Sequence, residues 1–118
     1  MKYSDLLVWQ KAMDLVEEIY KLTATFPQTE QYGLSSQMQR AAVSIPSNIA
    51  EGHGRKSTKA YLNHISIASG SLMELETQLQ ISCRLKYVER RPLDGLLDKT
   101  DEVGKMLSGL RSSLNPKS

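Results

Sequence analysis

The chain has little with which to do covalent or redox chemistry. Its 118 residues include one cysteine, one tryptophan, one phenylalanine and two histidines. A lone thiol, Cys83, excludes an internal disulfide. It lies in an apolar-periodic segment, so a reduced, buried side chain is expected, and no signature of a catalytic cysteine surrounds it. His53 and His64 have no Cys or carboxylate at ligand spacing, which predicts no zinc site. The acidic pairs Glu17–Glu18 and Glu74/Glu76 do not fit the Glu-x-x-His pattern of carboxylate-bridged metal bundles. Serines are plentiful, but none sits in a nucleophile elbow. Long apolar runs are also missing. None approaches the roughly 20 residues a spanning helix needs, and no signal peptide precedes the first amphipathic segment. These absences predict a cytoplasmic protein with no membrane association, metal, cofactor or catalytic residue, and hence not an enzyme.

An excess of one charge is missing as well. Fifteen Lys and Arg against thirteen Asp and Glu leave a net charge of +2. The distribution says more than the sum. Residues 1–51 hold four basic and six acidic groups, residues 52–91 seven and three, and residues 92–118 four of each. The positive excess is confined to the middle third.

What is present is helical periodicity. The row Leu6, Trp9, Met13, Val16, Tyr20 and Thr23 steps by three and four, as one helix face does, and Ala12, Leu15 and Ile19 widen it. Ser4 or Asp5 is placed to cap it, and Pro27 ends it. Met38, Ala41, Ala42, Ile45, Ile49 and Gly52 form a second, small-residue face behind a capping-box pattern of Ser36 with Gln39. Gly52 and Gly54 stop that helix. Ser57 is placed to cap a third helix, whose seam runs through Tyr61, Ile65, Ala68, Leu72, Leu75, Leu79 and Ser82. Ile67, Glu74, Gln78, Ile81 and Leu85 run beside it. Pro92 suits a first helical position, and Leu93, Leu96, Thr100, Val103, Leu107, Leu110 and Leu114 complete a fourth stripe, flanked by Leu97 and Met106. Asn115–Pro116 ends it. No segment alternates with period two. The pattern predicts one all-α domain over residues 1–118. Its helices cover about 5–25, 35–52, 58–86 and 93–114. Short connections imply an antiparallel up-down-up-down four-helix bundle.

Packing alone does not explain the second helix. Pro46 lacks an N–H and crowds the carbonyl of Ala42, which costs on the order of 3 kcal/mol in an isolated helix. Ser44 and Ser47 hydroxyls can bond the freed backbone groups. A continuous helix kinked at Pro46 is the preferred reading, and two short helices broken at Ile45 the alternative. Arg40, Ser44, Asn48, Glu51 and Arg55 share one side of this helix, with Glu51 and Arg55 at ion-pair spacing. Two readings stand: a solvated face, or a polar network between helices or subunits with Glu74 or Glu76 on the third helix as partner. A buried network would fix register and association state more than it adds stability.

Gly52-His53-Gly54-Arg55-Lys56-Ser57-Thr58 lacks the Gly-Lys-Ser/Thr order of a phosphate loop, and a helix precedes it where a strand should. What survives is a helix N-terminus beside Arg55, Lys56 and Lys59, which suits either a phosphate or plain solvation. A second cluster, Arg84, Lys86, Arg90 and Arg91, surrounds the connection between the third and fourth helices. In the bundle that connection shares an end with the first one, near Lys21, while Lys2, Arg111 and Lys117 lie towards the other end. In a ring of subunits both patches would repeat, and their summed field would attract nucleic acid. Few aromatics are free to stack bases, so backbone-directed, salt-sensitive binding is the expected form.

Four blocks of the chain are familiar as a set. Asp5 to Val16 (DLLVWQKAMDLV), Tyr32-Gly33-Leu34 with Ser36-Gln37, Arg40 to Gly52 (RAAVSIPSNIAEG) and Gly70 to Leu79 (GSLMELETQL) stand in order with the expected spacing. They resemble the bacterial four-helix-bundle family that includes the 23S rRNA intervening-sequence proteins. The Arg40–Gly52 block is the most distinctive, and the match covers about residues 5–88. The resemblance implies a homopentamer and no catalytic residues. One relative, the accessory variability protein of diversity-generating retroelements, is a basic pentameric barrel that binds nucleic acid and its reverse transcriptase. The present chain, at +2, is less basic. The sequence therefore predicts a homo-oligomer that binds structured RNA or DNA through Arg55, Lys56, Lys59, Arg84, Lys86, Arg90 and Arg91. The alternative is a scaffold ring that docks a partner protein.

Overall fold

The computed structural model describes residues 1–114. It contains α1 (Leu7–Thr23), α2 (Leu34–His53), α3 (Thr58–Arg84) and α4 (Arg90–Leu114), and no strand among the described residues. Short 3₁₀ turns at Tyr3–Asp5 and Gln28–Glu30 precede α1 and α2. The bundle measures 44 × 24 × 20 Å. The Asn115–Pro116 stop and Lys117 lie outside the described residues.

Neighbouring helices run in opposite directions. Ser44 and Met38 of α2 meet Ser71 and Ser82 of α3, so one helix advances as the other recedes. Glu76 and Ser66 of α3 meet Thr100 and Arg111 of α4 in the same sense. Lys11–Glu102 and Glu18–Lys99 ion pairs tie α1 to α4. The α2–α3 contact is the broadest of the four.

The apolar faces of α2, α3 and α4 lie where their spacing predicts. Met38, Ala41, Ala42, Ile45 and Ile49 are buried, as are Ile65, Ala68, Leu72, Leu75, Leu79, Leu93, Leu96, Val103 and Leu107. The α1 face is rotated from the predicted one. Its core residues are Val8, Ala12, Leu15, Ile19 and Thr23, whereas Met13 and Tyr20 of the predicted stripe are 40% and 47% exposed. The apolar residues of α1 satisfy two overlapping stripes, and contact with two neighbours selects the one carrying Ala12, which permits close approach.

Several helix ends differ from their sequence signals. No side chain caps α1, and Asp5 instead accepts from the Lys2 N–H at 3.1 Å. Ser36 and Gln39 form no capping box, because α2 already begins at Leu34. There the Glu30 carboxylate accepts from the Leu34 N–H at 3.2 Å. Gln39 points back to α1 and donates to the Thr23 hydroxyl at 3.0 Å. Ser57 does cap α3, accepting from Ala60 N–H at 3.1 Å. Pro92 is the third residue of α4, where its missing N–H still costs no helical bond. α2 runs unbroken through Pro46, which is buried. Gly52 lies inside α2 and works as a packing residue. A Cβ there would stand 2.8 Å from His64 Cβ and 3.0 Å from Tyr61 Cδ1. Cys83 is half-buried against the core.

Candidate nucleic-acid interface

The seven candidate cations all lie exposed, in two groups at opposite ends of α3. Lys59 and Arg84 are 25 residues apart, about 38 Å along the helix axis. Each end is built differently.

At the α2–α3 turn, Arg55, Lys56 and Lys59 flank the Ser57 cap. Arg55 is held by a chain of polar contacts across the α2–α3 seam. Its Nε donates to His64 Nε2 at 3.3 Å, which makes that nitrogen the acceptor and places the ring proton on Nδ1. Nδ1 lies 3.0 Å from the Asn48 Oδ1 it donates to. Asn48 Nδ2 donates to the Ser44 carbonyl at 2.8 Å and to its hydroxyl at 3.0 Å, and Ser71 donates to the same hydroxyl at 2.9 Å. Glu51 Oε2 approaches His64 Nδ1 to 3.9 Å and makes no ion pair with Arg55. Of the predicted polar series, Ser44, Asn48 and Glu51 thus meet at this seam. Arg40 and Glu74 are exposed and stand outside the chain of contacts.

The sequence reading missed His64 as a member. The signal was the row His64, Ser71 and Gln78, polar residues seven apart beside the apolar seam of α3. Gln78 is buried, and its Oε1 has no hydrogen-bond partner among the described residues. His53 is the half-buried last residue of α2. Its ring nitrogens lie 3.1 Å from the Tyr61 hydroxyl and 3.0 Å from the Met1 carbonyl. Burial raises the Tyr61 pKa above its ordinary value.

At the other end α3 closes with Lys86 at φ 65°, in the left-handed region. The Tyr87 N–H bonds the Ser82 carbonyl and the Lys86 N–H the Cys83 carbonyl, both at 2.9 Å, which is the Schellman pattern. Glycine is usual at this position, and lysine there costs roughly 1–2 kcal/mol. The Tyr87 ring packs on Phe26 at 5.2 Å, and its hydroxyl donates to Glu30 Oε2 at 2.8 Å. The α1–α2 and α3–α4 connections therefore share this end. The Glu30 hydrogen bond, followed by burial and the Glu30 charge, raises the Tyr87 pKa. Arg90 pairs with Asp94 at 3.3 Å, while Arg84, Lys86 and Arg91 form no ion pair with another described residue. Acidic side chains concentrate instead on α1 and α4, where Glu18 and Glu102 pair with Lys99 and Lys11.

Among the described residues, no group of three His, Cys, Asp or Glu side chains could hold a metal ion. No described helix is long and apolar enough to cross a membrane. The profile of the 23S rRNA-intervening sequence protein family matches residues 4–109. The chain belongs to that family. Membership agrees with the resemblance carried by the Arg40–Gly52 block, whose side chains build the α2–α3 seam. No functionally curated protein matches the chain. Among solved structures, it is similar to a protein of unknown function of the S23 ribosomal protein family from Bacteroides thetaiotaomicron. The two share 24% identity at a TM-score of 0.84, over 95% of this chain and 99% of the other. That likeness extends to the fold.

Proposed function

We propose that this family member is a cytoplasmic binding protein, not a catalyst, which assembles into a homo-oligomer and holds structured RNA or DNA by its phosphate backbone. The observation that carries the reading is the placement of seven exposed cations at the two ends of one helix. Most are free to meet phosphate, and the acidic residues lie largely on α1 and α4. The family's name directs the first probe to structured fragments of 23S rRNA intervening sequences. Lys86 supports the same reading. A strained non-glycine residue that exposes a cation is better explained by a use for the charge than by folding. Binding to such fragments at low salt, weakening steeply as salt rises, is the expected result. Absence of binding at low salt would overturn it.

The assembly proposed is the homopentamer that the family resemblance implies. An apolar groove between α1 and α2 supports association. It encloses about 300 Å³, and Trp9, Met13, Val43 and Pro46 line it. The same groove favours the second reading, a scaffold that docks a partner protein. Solution mass separates the two. A Met13→Glu variant that falls to monomer assigns the groove to subunit contact. A variant that keeps its mass but loses a co-purifying protein assigns it to the partner.

A further inference from the structure

We infer that a pocket between the C-terminal end of α1 and the start of α2 receives one unpaired nucleobase of an RNA whose phosphates rest on the cations of the α3–α4 end. This rests on the phosphate-binding reading and adds to it a site and a ligand class. The pocket holds about 560 Å³, within the range of small-molecule sites. None of its lining residues is an Asp, Glu, Lys, Arg or His. A charged ligand would lose hydration there with no opposite charge to meet it, so the pocket suits a neutral one.

The lining chemistry narrows the choice further. Gln28, Gln31 and Gln39 bring three side-chain amides to it. An amide offers a donor and an acceptor side by side, the arrangement that pairs with the edge of a base. Gln39 has already committed its Nε2 to Thr23, which leaves its carbonyl oxygen as an acceptor. Ser35 is 7% exposed and adds a hydroxyl to the lining. Tyr20, Phe26 and Pro27 supply flat surfaces for a planar ring.

The pocket is also joined to the basic end. Its Phe26 wall packs against Tyr87, which Glu30 fixes through a 2.8 Å hydrogen bond, and Tyr87 follows Lys86 in the chain. One wall is therefore rigid and tied to the segment that presents Lys86. A base extruded from a paired stem would enter a neutral pocket while its flanking phosphates stay at the cations.

The test compares two RNA hairpins of equal length and charge, one fully paired and one with a single bulged purine, for binding at low salt. The bulged hairpin is expected to bind about tenfold more tightly. Ala24→Trp, at an exposed position on the pocket rim, should abolish that preference and leave affinity for the paired hairpin unchanged. Equal binding of the two hairpins, or a preference that survives Ala24→Trp, overturns this inference alone. Failure of both hairpins to bind overturns the phosphate reading and this one with it.

Discussion

At the α2–α3 end the cations stand on a turn locked from below. Gly52 lets the helices touch, and Arg55 is tied through His64, Asn48 and Ser44 to the middle of the seam. At the α3–α4 end the cations surround a connection that rests on an aromatic pair, a single tyrosine–carboxylate hydrogen bond and a lysine in a glycine's conformation. Both ends are basic, yet one places its charge as a consequence of helix packing and the other at the expense of local backbone comfort. Changes to the residues beneath the first end should therefore reveal themselves in stability, while both sets of cations should reveal themselves in binding.

The largest expected effect is at Gly52. Gly52→Val puts carbon inside contact distance of His64 Cβ, an atom fixed to the α3 backbone. It should cost about 1–3 kcal/mol in denaturant unfolding, and a neutral result would show that the seam is looser than described. Asn48→Ala comes next. It removes the bonds to Ser44 and strands the His64 Nδ1–H, so a loss of about 1–2 kcal/mol is expected by the same measurement. Unchanged stability would mean that the polar chain is only a solvated surface.

At the opposite end the sign reverses. Lys86→Gly relieves the left-handed strain and should raise stability by about 1 kcal/mol, while it lowers the salt slope of RNA binding by about one. Greater stability with undiminished binding would remove Lys86 from the interface. The smallest effect concerns pH. The raised Tyr87 pKa means that the folded state holds its proton more tightly than the unfolded one. That contribution is complete below about pH 10 and fades as pH rises through the raised value. Tyr87→Phe should flatten the alkaline part of the stability profile. A profile of unchanged shape would assign the alkaline loss elsewhere, Tyr61 being the other raised group.

Much of the fold was legible, and for a physical reason. The seams of α2, α3 and α4 each carry one dominant apolar row, so spacing fixes the buried face. α1 carries two adjacent rows, and only contact with two neighbours chooses between them. Helix starts were less legible. Ser36 and Gln39 satisfy the local capping pattern, but Glu30 reaches the Leu34 N–H first from the preceding turn. The candidate site divides in the same way. The cations could be read as clusters from charge alone. The role of His64 could not, because its partners Asn48 and Arg55 come from the helix and turn before it. Arg40 and Glu74 are the converse case, since correct helical spacing brings neither into the contact chain.

Both ends of α3 are expected to hold phosphate. The most direct test is the salt dependence of affinity for a structured rRNA fragment, measured for the wild type, for Arg55/Lys56/Lys59→Ala and for Arg84/Arg90/Arg91→Ala. A linear fall of log affinity with log salt is expected in the wild type, and a slope lower by about two to three in each triple variant. A wild-type affinity that does not change with salt, or triple variants that bind as the wild type does, would contradict it.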